Sequence, residues 1–427
     1  MGGVRARRSI RWGASMAAGA ALALVVVACG GGDGAASALG DGSLGSVEVG
    51  AGESVQIRSL QATTEVGSGP TNDLMVRIAV ADYGPIHGFE VNVESLDEGC
   101  SPEGGEASGS LIAADASVAG VVGTTCSVAA IAAAPLVTGA GMTMISPSNT
   151  SPLLTSDGAG VPGPHFHEGY WRTAGNDLYQ GAAVARFLYD RLGVTAAATV
   201  HTGDAYTESL AAAFVANFER LGGRITGTGE LADEQTDVAA TLRNLAADGP
   251  QALFMSVSLT VGTAIVEQRG DVPGLADVPL VANEGLLDRV FMSLPQTAGI
   301  YFSSPNVRFG QNTNQGTGAS AEEVLANYRD ASGADPDGAF WGHAYDATVL
   351  LLEAINAASA PDGDALSIDR AGVRQHLSEV SDYQGITGAL TCDAWGDCGS
   401  QRIDIVEHAD PADITFTRTN VVYEYEP

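Results

Sequence analysis

The stretch from Val118 to Pro152, "VAGVVGTTCSVAAIAAAPLVTGAGMTMISPSNTSP", decides how this chain folds. "VAGVVG" is an unbroken apolar run of the kind a strand shows when both its faces are covered. A helix of small residues follows over "SVAAIAAAPLVTGAG", with a bend expected at Pro135, which lacks an N–H to give. "MTMIS" is a second buried strand. Strand, helix and strand in succession build a parallel, doubly wound sheet. Both strands end in hydroxyl-rich turns, "GTTCS" and "ISPSNTSP", and the second holds more hydrogen-bonding groups than a surface turn needs. In doubly wound sheets ligands sit beyond the carboxyl ends of the strands, where helix N-termini present unsatisfied N–H groups. Ser127 stands at a helix start, where its hydroxyl and the free N–H groups suit a carboxylate. Thr150 can do the same from the next loop, and the Ser148 carbonyl can accept from an ammonium. Helix capping alone would account for either loop; two adjacent loops of one chemistry point to a site.

The same rhythm runs outward in both directions. Upstream, "SVQIRSLQ" and "FEVNVESL" read as strands flanking a helix over "TNDLMVRIAVADYG". Downstream come an amphipathic helix over "DLYQGAAVARFLYDRLG", a strand at "AAATVH" and a helix over "YTESLAAAFVANFERLGG". Strands at "ALFMSV", "PLVAN" and "GIYFSS" follow, with a helix at "TAIVEQRG". Ser320 and Glu323 have capping-box spacing at the head of "SAEEVLANYRDASG". "AFWGHAYDATVLLLEAINAAS" is a long buried helix, and "RIDIVEH" and "NVVYEYE" close the chain as strands. One compact sheet cannot take so many strands, so two are expected.

Composition narrows the function. With 45% hydrophobic and 17% charged residues the 427-residue chain is globular and long enough for two domains. A formal charge of −31 excludes a nucleic-acid backbone as partner. All 20 basic residues are arginine, which removes Walker-type loops, Schiff-base lysines and lysine general bases together. "GAGVPG" (Gly158–Gly163) matches a dinucleotide fingerprint in letters only, since no strand precedes it, and "HFH" (His165–His167) lacks companions to complete a metal site. Neither a Gly-x-Ser-x-Gly elbow nor a His-Glu-x-x-His motif is present, so a secreted enzyme is a poor reading.

The N-terminus reads as an address. "MGGVRARRSIRW" carries four arginines and no acid, and the apolar core up to Ala28 is too short to span a bilayer. Residues 1–28 are therefore expected to be a signal peptide. "VVAC" resembles a lipobox, which makes Cys29 the expected acylated residue and 29–46 a flexible tether. An ordinary secretory signal with a chance cysteine is the bland alternative. Cleavage would move the formal charge from −31 to −35, since it removes four arginines and no acid. Four cysteines then remain, Cys100, Cys126, Cys392 and Cys398, an even number that suits two disulfides in an oxidising compartment. Three connectivities exist, and local pairing within "CDAWGDC" is the simplest; metal binding there ranks below it.

Four motifs in order carry a resemblance: "VVGTTCS…GAGMTMISPSNTSPLLT", "YWRTAGNDLYQGAAVARFL", "HTGDAYTESLAAAF" and "VANEGL". From about Ser54 to the C-terminus the chain resembles the type I periplasmic solute-binding proteins, and among them the branched-chain amino-acid-binding components of ABC importers. The resemblance implies an α/β fold of two doubly wound lobes joined by three crossovers, here 47–173 plus 306–388 and 174–305 plus 389–427. It implies that Ser127 and the Thr150 backbone hold an α-carboxylate. The Thr150 hydroxyl, the Ser148 carbonyl and Glu284 would hold the α-ammonium, and Tyr206 would close over the ligand. It also supports pairing Cys100 with Cys126 beside the pocket. Read without the resemblance, Glu284 would be a solvated loop acid. Ser258-Leu259-Thr260 stands where the family often has an aromatic, so the pocket wall there should be smaller or more polar. "QATTEVGSGPTND" is short for the family, which leaves its usual ligand contacts unassigned. The expected role is a lipid-anchored, extracytoplasmic monomer that delivers an amino acid or amide to an ABC permease. No cofactor, metal or catalysis is expected. A sensor built on the same lobes is the alternative.

Overall fold

The computed structural model describes residues 40–64 and 67–427; the expected signal peptide, Cys29 and most of the expected tether lie outside them. The described chain opens with β1 (Ser46–Val49), and the first pass through one sheet then runs β2 (Val55–Gln61), α1 (Ser68–Tyr83), β3 (Val91–Asp97), α2 (Pro102–Ala113), β4 (Val118–Gly123), α3 (Ser127–Gly139), β5 (Met144–Ser146) and β6 (Tyr170–Arg172). The chain then crosses to α4 (Asp177–Arg186), β7 (Ala196–His201), α5 (Thr207–Arg220), β8 (Arg224–Glu230), α6 (Ala239–Ala246), β9 (Leu253–Ser256), α7 (Leu259–Gln268), β10 (Leu280–Ala282), α8 (Arg289–Met292) and β11 (Ile300–Pro305). It returns for α9 (Ala321–Ser332), α10 (Trp341–Ala357), β12 (Ser359–Asp362), β13 (Ala365–Asp369), α11 (Arg370–Ser378), β14 (Tyr383–Gly385) and β15 (Gly388–Leu390). It crosses a third time to finish with β16 (Ile403–His408), α12 (Ile414–Thr417) and β17 (Val421–Tyr425).

Two sheets result. The first lobe holds five parallel strands in the order β3-β2-β4-β5-β6. All six residues of β4 are buried, as a strand with helices on both faces requires. The second lobe holds seven, β17-β16-β11-β10-β9-β7-β8. β16 runs antiparallel to both its neighbours, β11 and β17, so β16 alone is reversed at this edge of the sheet. The Ser320–Glu323 capping box opens α9 as expected, and α3 continues past Pro135.

The first lobe has two apolar layers, one under α10 around Leu350, Leu351 and Ile355, the other between the sheet and α2–α3 around Leu60, Val121 and Ala133. The sequence reading named no element over "PEGGEASGSLIA", which forms α2 although glycine disfavours a helix interior. The structure explains the exception: a Cβ at Gly105 would lie 2.4 Å from the Ala129 carbonyl, and one at Gly109 3.0 Å from the Ala133 Cα. Glycine lets α2 lie directly on the alanine face of α3.

The expected lobe boundaries shift at two places. Residues 40–45 are docked: Gly42 N–H donates to Asp369 Oδ2 at 2.8 Å and Arg370 N–H to the Gly45 carbonyl at 3.1 Å. Leu390, Cys392 and Cys398 pack in the first lobe's core, and Cys398 N–H donates to the Arg172 carbonyl at 2.9 Å. The return to the second lobe, expected at 389, therefore comes only after Gly399.

Candidate ligand-binding site

The two hydroxyl-rich turns lie side by side because β4 and β5 are adjacent and parallel. Their polar groups divide the work. Ser146 Oγ donates to the Thr124 carbonyl at 2.9 Å and accepts from the Ser148 and Asn149 N–H groups at 3.2 and 2.9 Å. Asn149 Oδ1 accepts from the Thr124 hydroxyl at 3.1 Å and the Tyr170 phenol at 2.9 Å. Ser146 and Asn149 thus build the turn, and Ser127, Ser148 and Thr150 are left to line a cavity. Beneath them Arg172, wholly buried, donates to the Asn149 and Ser151 carbonyls at 3.1 and 2.8 Å, to the Thr155 hydroxyl at 2.8 Å and to Asp397.

The second lobe supplies the facing wall. β10 is followed by Asn283, whose amide donates to the Tyr206 phenol at 3.1 Å, and then by Glu284 at 6% exposure. Gln180 on α4 donates to Glu284 Oε2 at 2.5 Å and to Ser303 Oγ at 3.0 Å, which fixes the carboxylate's orientation. Burial raises the Glu284 pKa, against the Tyr206 and Gln180 hydrogen bonds that lower it. Burial, then the charges of Glu284 and Asp177, hold the Tyr206 phenol well above its ordinary value, so it stays neutral.

The cavity between these walls measures about 280 Å³, and Ser127, Ser148, Thr150, Tyr206 and Glu284 all line it. Val257, Ser258 and Leu259 form one side, so the wall without an aromatic is small, as expected from its sequence. Sequence reasoning missed Ser68 and Gly69 at the α1 N-terminus, Phe340, and Leu287–Asp288. Phe340 lay hidden at the head of a helix read only as core. Asp177 was missed too; it is fully buried beside Thr150, whose carbonyl accepts its N–H at 3.0 Å, and burial and then the charge of Glu284 raise its pKa well above the ordinary value.

The lobes meet at further points. Ser151 Oγ lies 3.2 Å from Ser209 Oγ of α5. Arg418, in the second lobe, donates to the first lobe's Pro336 and Gly338 carbonyls at 2.5 and 3.3 Å and to Asp337 Oδ1 at 3.0 Å.

Cys100 pairs with Cys126 and Cys392 with Cys398. Among the described residues, Glu98, Cys100 and Cys126 form a group with metal-type donors, but both sulfurs are spent in the disulfide. Glu98 Oε1 instead accepts the Thr125 and Cys126 N–H groups at 3.1 Å each, beside the start of α3. Burial pushes its pKa up to about 7, against those lowering bonds, and its second oxygen has no partner among the described residues. The folded state then holds this proton more tightly than the unfolded chain. Its contribution to stability is full below the ordinary glutamate range and is lost as pH rises from 4.5 toward 7. Glu98→Gln should remove that loss, with a net gain of about 1 kcal/mol above pH 7 once the new amide's unmet N–H is counted. Thermal melts from pH 4.5 to 8 test this; parallel Tm curves for the two proteins would refute it.

Comparison with known proteins places these features. A family model described as periplasmic binding protein matches residues 63–407. An amino acid binding protein of Pseudomonas aeruginosa is 26% identical over 282 residues, 65% of this chain and 71% of that protein. The Leu/Ile/Val-binding protein of Escherichia coli is 24% identical over 323 residues, 75% of this chain and 80% of its own. Among solved structures, a leucine-binding protein of Thermotoga maritima superposes with a TM-score of 0.73 at 20% identity, covering 87% of this chain and 99% of that one. A branched-chain amino acid transporter substrate-binding protein of Streptococcus pneumoniae, in complex with isoleucine, gives 0.70 at 20% identity, with 88% and 100% covered.

Proposed function

This chain belongs to the periplasmic binding protein family, a family of solute receptors rather than enzymes, and on that premise we propose that it captures an amino acid or related amide between its lobes. Delivery would be to an ABC permease, with the protein working as a monomer held by acyl chains on Cys29. The observation that supports this reading best is the placement of Glu284. A buried carboxylate faces a cavity whose other wall is the start of α3, where the Cys126 N-cap has no side-chain hydrogen bond. A zwitterion complements that pair: its carboxylate suits the N–H groups near Ser127 and Thr150, and its ammonium suits Glu284, the Thr150 hydroxyl and the Ser148 carbonyl. In this reading the ligand docks on the first lobe, and the second swings in to bring Glu284 and Tyr206 onto it.

Isothermal titration with amino acids tests the proposal. Glu284→Gln keeps the shape and the Gln180 contact but loses the charge, and should weaken binding about tenfold while leaving the unliganded Tm unchanged or higher. Equal affinity in the variant would remove Glu284 from the ligand. Intact-mass analysis of membrane-extracted protein should show acylation at Cys29 and two disulfides; an unmodified Cys29 would rule out the anchor.

A further inference from the structure

We infer that the Cys100–Cys126 disulfide is a thiol-exchange site, opened by an extracytoplasmic dithiol reductant, in which Glu98 gives a proton to the departing sulfur. Both cysteines line the ligand cavity, so the state of this bond reaches the wall from which α3 begins. The inference goes beyond solute binding and holds whichever solute the cavity takes.

Three arrangements set this bond apart from Cys392–Cys398. Cys100 is exposed, whereas Cys392 and Cys398 are buried at 8% and 1% exposure. Exchange requires an incoming thiolate to reach a sulfur, and Cys100 offers one. Cys126 is the N-cap of α3, and its side chain makes no capping bond. Negative charge forming on its sulfur therefore meets the free N–H end of a helix. The Glu98 carboxyl, lastly, lies within 4.8 Å of both sulfurs. Glu98 is fully buried; Oε1 accepts the Thr125 and Cys126 N–H groups, and Oε2 has no partner among the described residues. A buried carboxyl with one idle oxygen beside a leaving group is what a proton donor requires.

The charges around Glu98 keep that proton in place. Burial outweighs the lowering N–H bonds and pushes its pKa up to about 7, and the charge of Asp97 at the end of β3 adds to the rise. Gln61 at the end of β2 is neutral, Glu103 and Glu106 of α2 are exposed, and α3 carries no titratable side chain. The exchange then balances in two steps. A thiolate of the reductant attacks Cys100 Sγ, a mixed disulfide forms, and the Cys100–Cys126 bond breaks with its electron pair on Cys126 Sγ. Glu98 Oε2 protonates that sulfur and becomes a carboxylate, held by the Thr125 and Cys126 N–H groups. The second thiol of the reductant, as a thiolate, attacks its own sulfur in the mixed disulfide and expels Cys100. Cys100 and Glu98 take protons from solvent, the reductant ends as a disulfide, and the protein has gained two electrons.

The test is timed reduction of the full-length protein by dithiothreitol from about pH 5.5 to 8.5, with acid quench, alkylation and peptide mass mapping of the four cysteines. Rates are divided by the thiolate concentration at each pH. Cys100–Cys126 should open at least about tenfold faster than Cys392–Cys398, and its normalised rate should fall as pH rises through about 7. In Glu98→Gln that rate should drop at least about tenfold at pH 6 and lose its pH dependence. Amide hydrogen exchange over residues 125–130 should quicken once the bond is open. Equal opening of the two disulfides would overturn the exchange site. A normalised rate at pH 6 that is the same in Glu98→Gln and the parent would overturn the role of Glu98. Unaltered amide exchange over 125–130 in the reduced protein would overturn the link to the cavity wall.

Discussion

Replacing Arg172 with methionine is expected to cost about 3–5 kcal/mol of stability and to lower Tm by about 4–6 °C. The side chain is completely buried and reaches four partners at once: two carbonyls and a hydroxyl of the 149–155 loop, and the Asp397 carboxylate. Burial works against its charge, but Asp397 outweighs that and keeps the guanidinium ionised. Methionine fills the stem's volume but returns none of those bonds, and it strands Asp397, whose side chain is only 10% exposed. The loop it releases carries Thr150, so ligand affinity should fall in the same protein. Calorimetric melts with and without ligand check both effects. A Tm within about 1 °C of the parent would refute the keystone role, since lost buried charge pairs do not go unnoticed.

The second large effect should follow from Arg418→Ala. This residue ties the lobes from outside the cavity: its Nη2 donates to the Leu287 carbonyl at 3.1 Å and to Asp337 Oδ1 at 3.0 Å, and its Nη1 to the Pro336 and Gly338 carbonyls. Leu287 and Gly338 both line the ligand cavity, so one guanidinium sets the gap between two of its walls. On the hinge reading proposed above, opening the lobes would break the bonds to residues 336–338. Losing them should therefore disfavour the shut form by about 2–3 kcal/mol and weaken binding about 30- to 150-fold, chiefly through faster release. Stopped-flow dissociation and solution scattering of the liganded protein provide the readouts. Asp337→Asn should reproduce part of the loss, and a double-mutant cycle should show the two coupled. Unchanged release rates in Arg418→Ala would dispose of the latch.

Much of this architecture is written locally. The strand ends at "GTTCS" and "ISPSNTSP" announce a crevice because hydroxyls beyond buried strands have few other uses, and both turns do line the cavity. Glu284 was legible only through resemblance, since its burial depends on Gln180, which lies 104 residues away. Asp288, Phe340 and Arg418 left no local sign at all. Their contributions arise from contacts between segments brought together by three crossovers, and no periodicity encodes that. The helix α2 was not read from the sequence, and the use of its glycines shows only where α3 lies against them. β16 and β17 were found as strands but not as to direction, and the reversal of β16 is set by where the third crossover enters the sheet.

The pairing of β1 with β13 has a mechanical outcome. The described chain starts at Gly40 on the first lobe, held there by the docked turn and four paired strand residues. A pull applied at Gly40 would be borne as shear along β1 against β13, and not by the Arg418 bridge. One shell would act as the fixed mount and the other as the moving jaw, so tension on the mount would not pry the jaws apart.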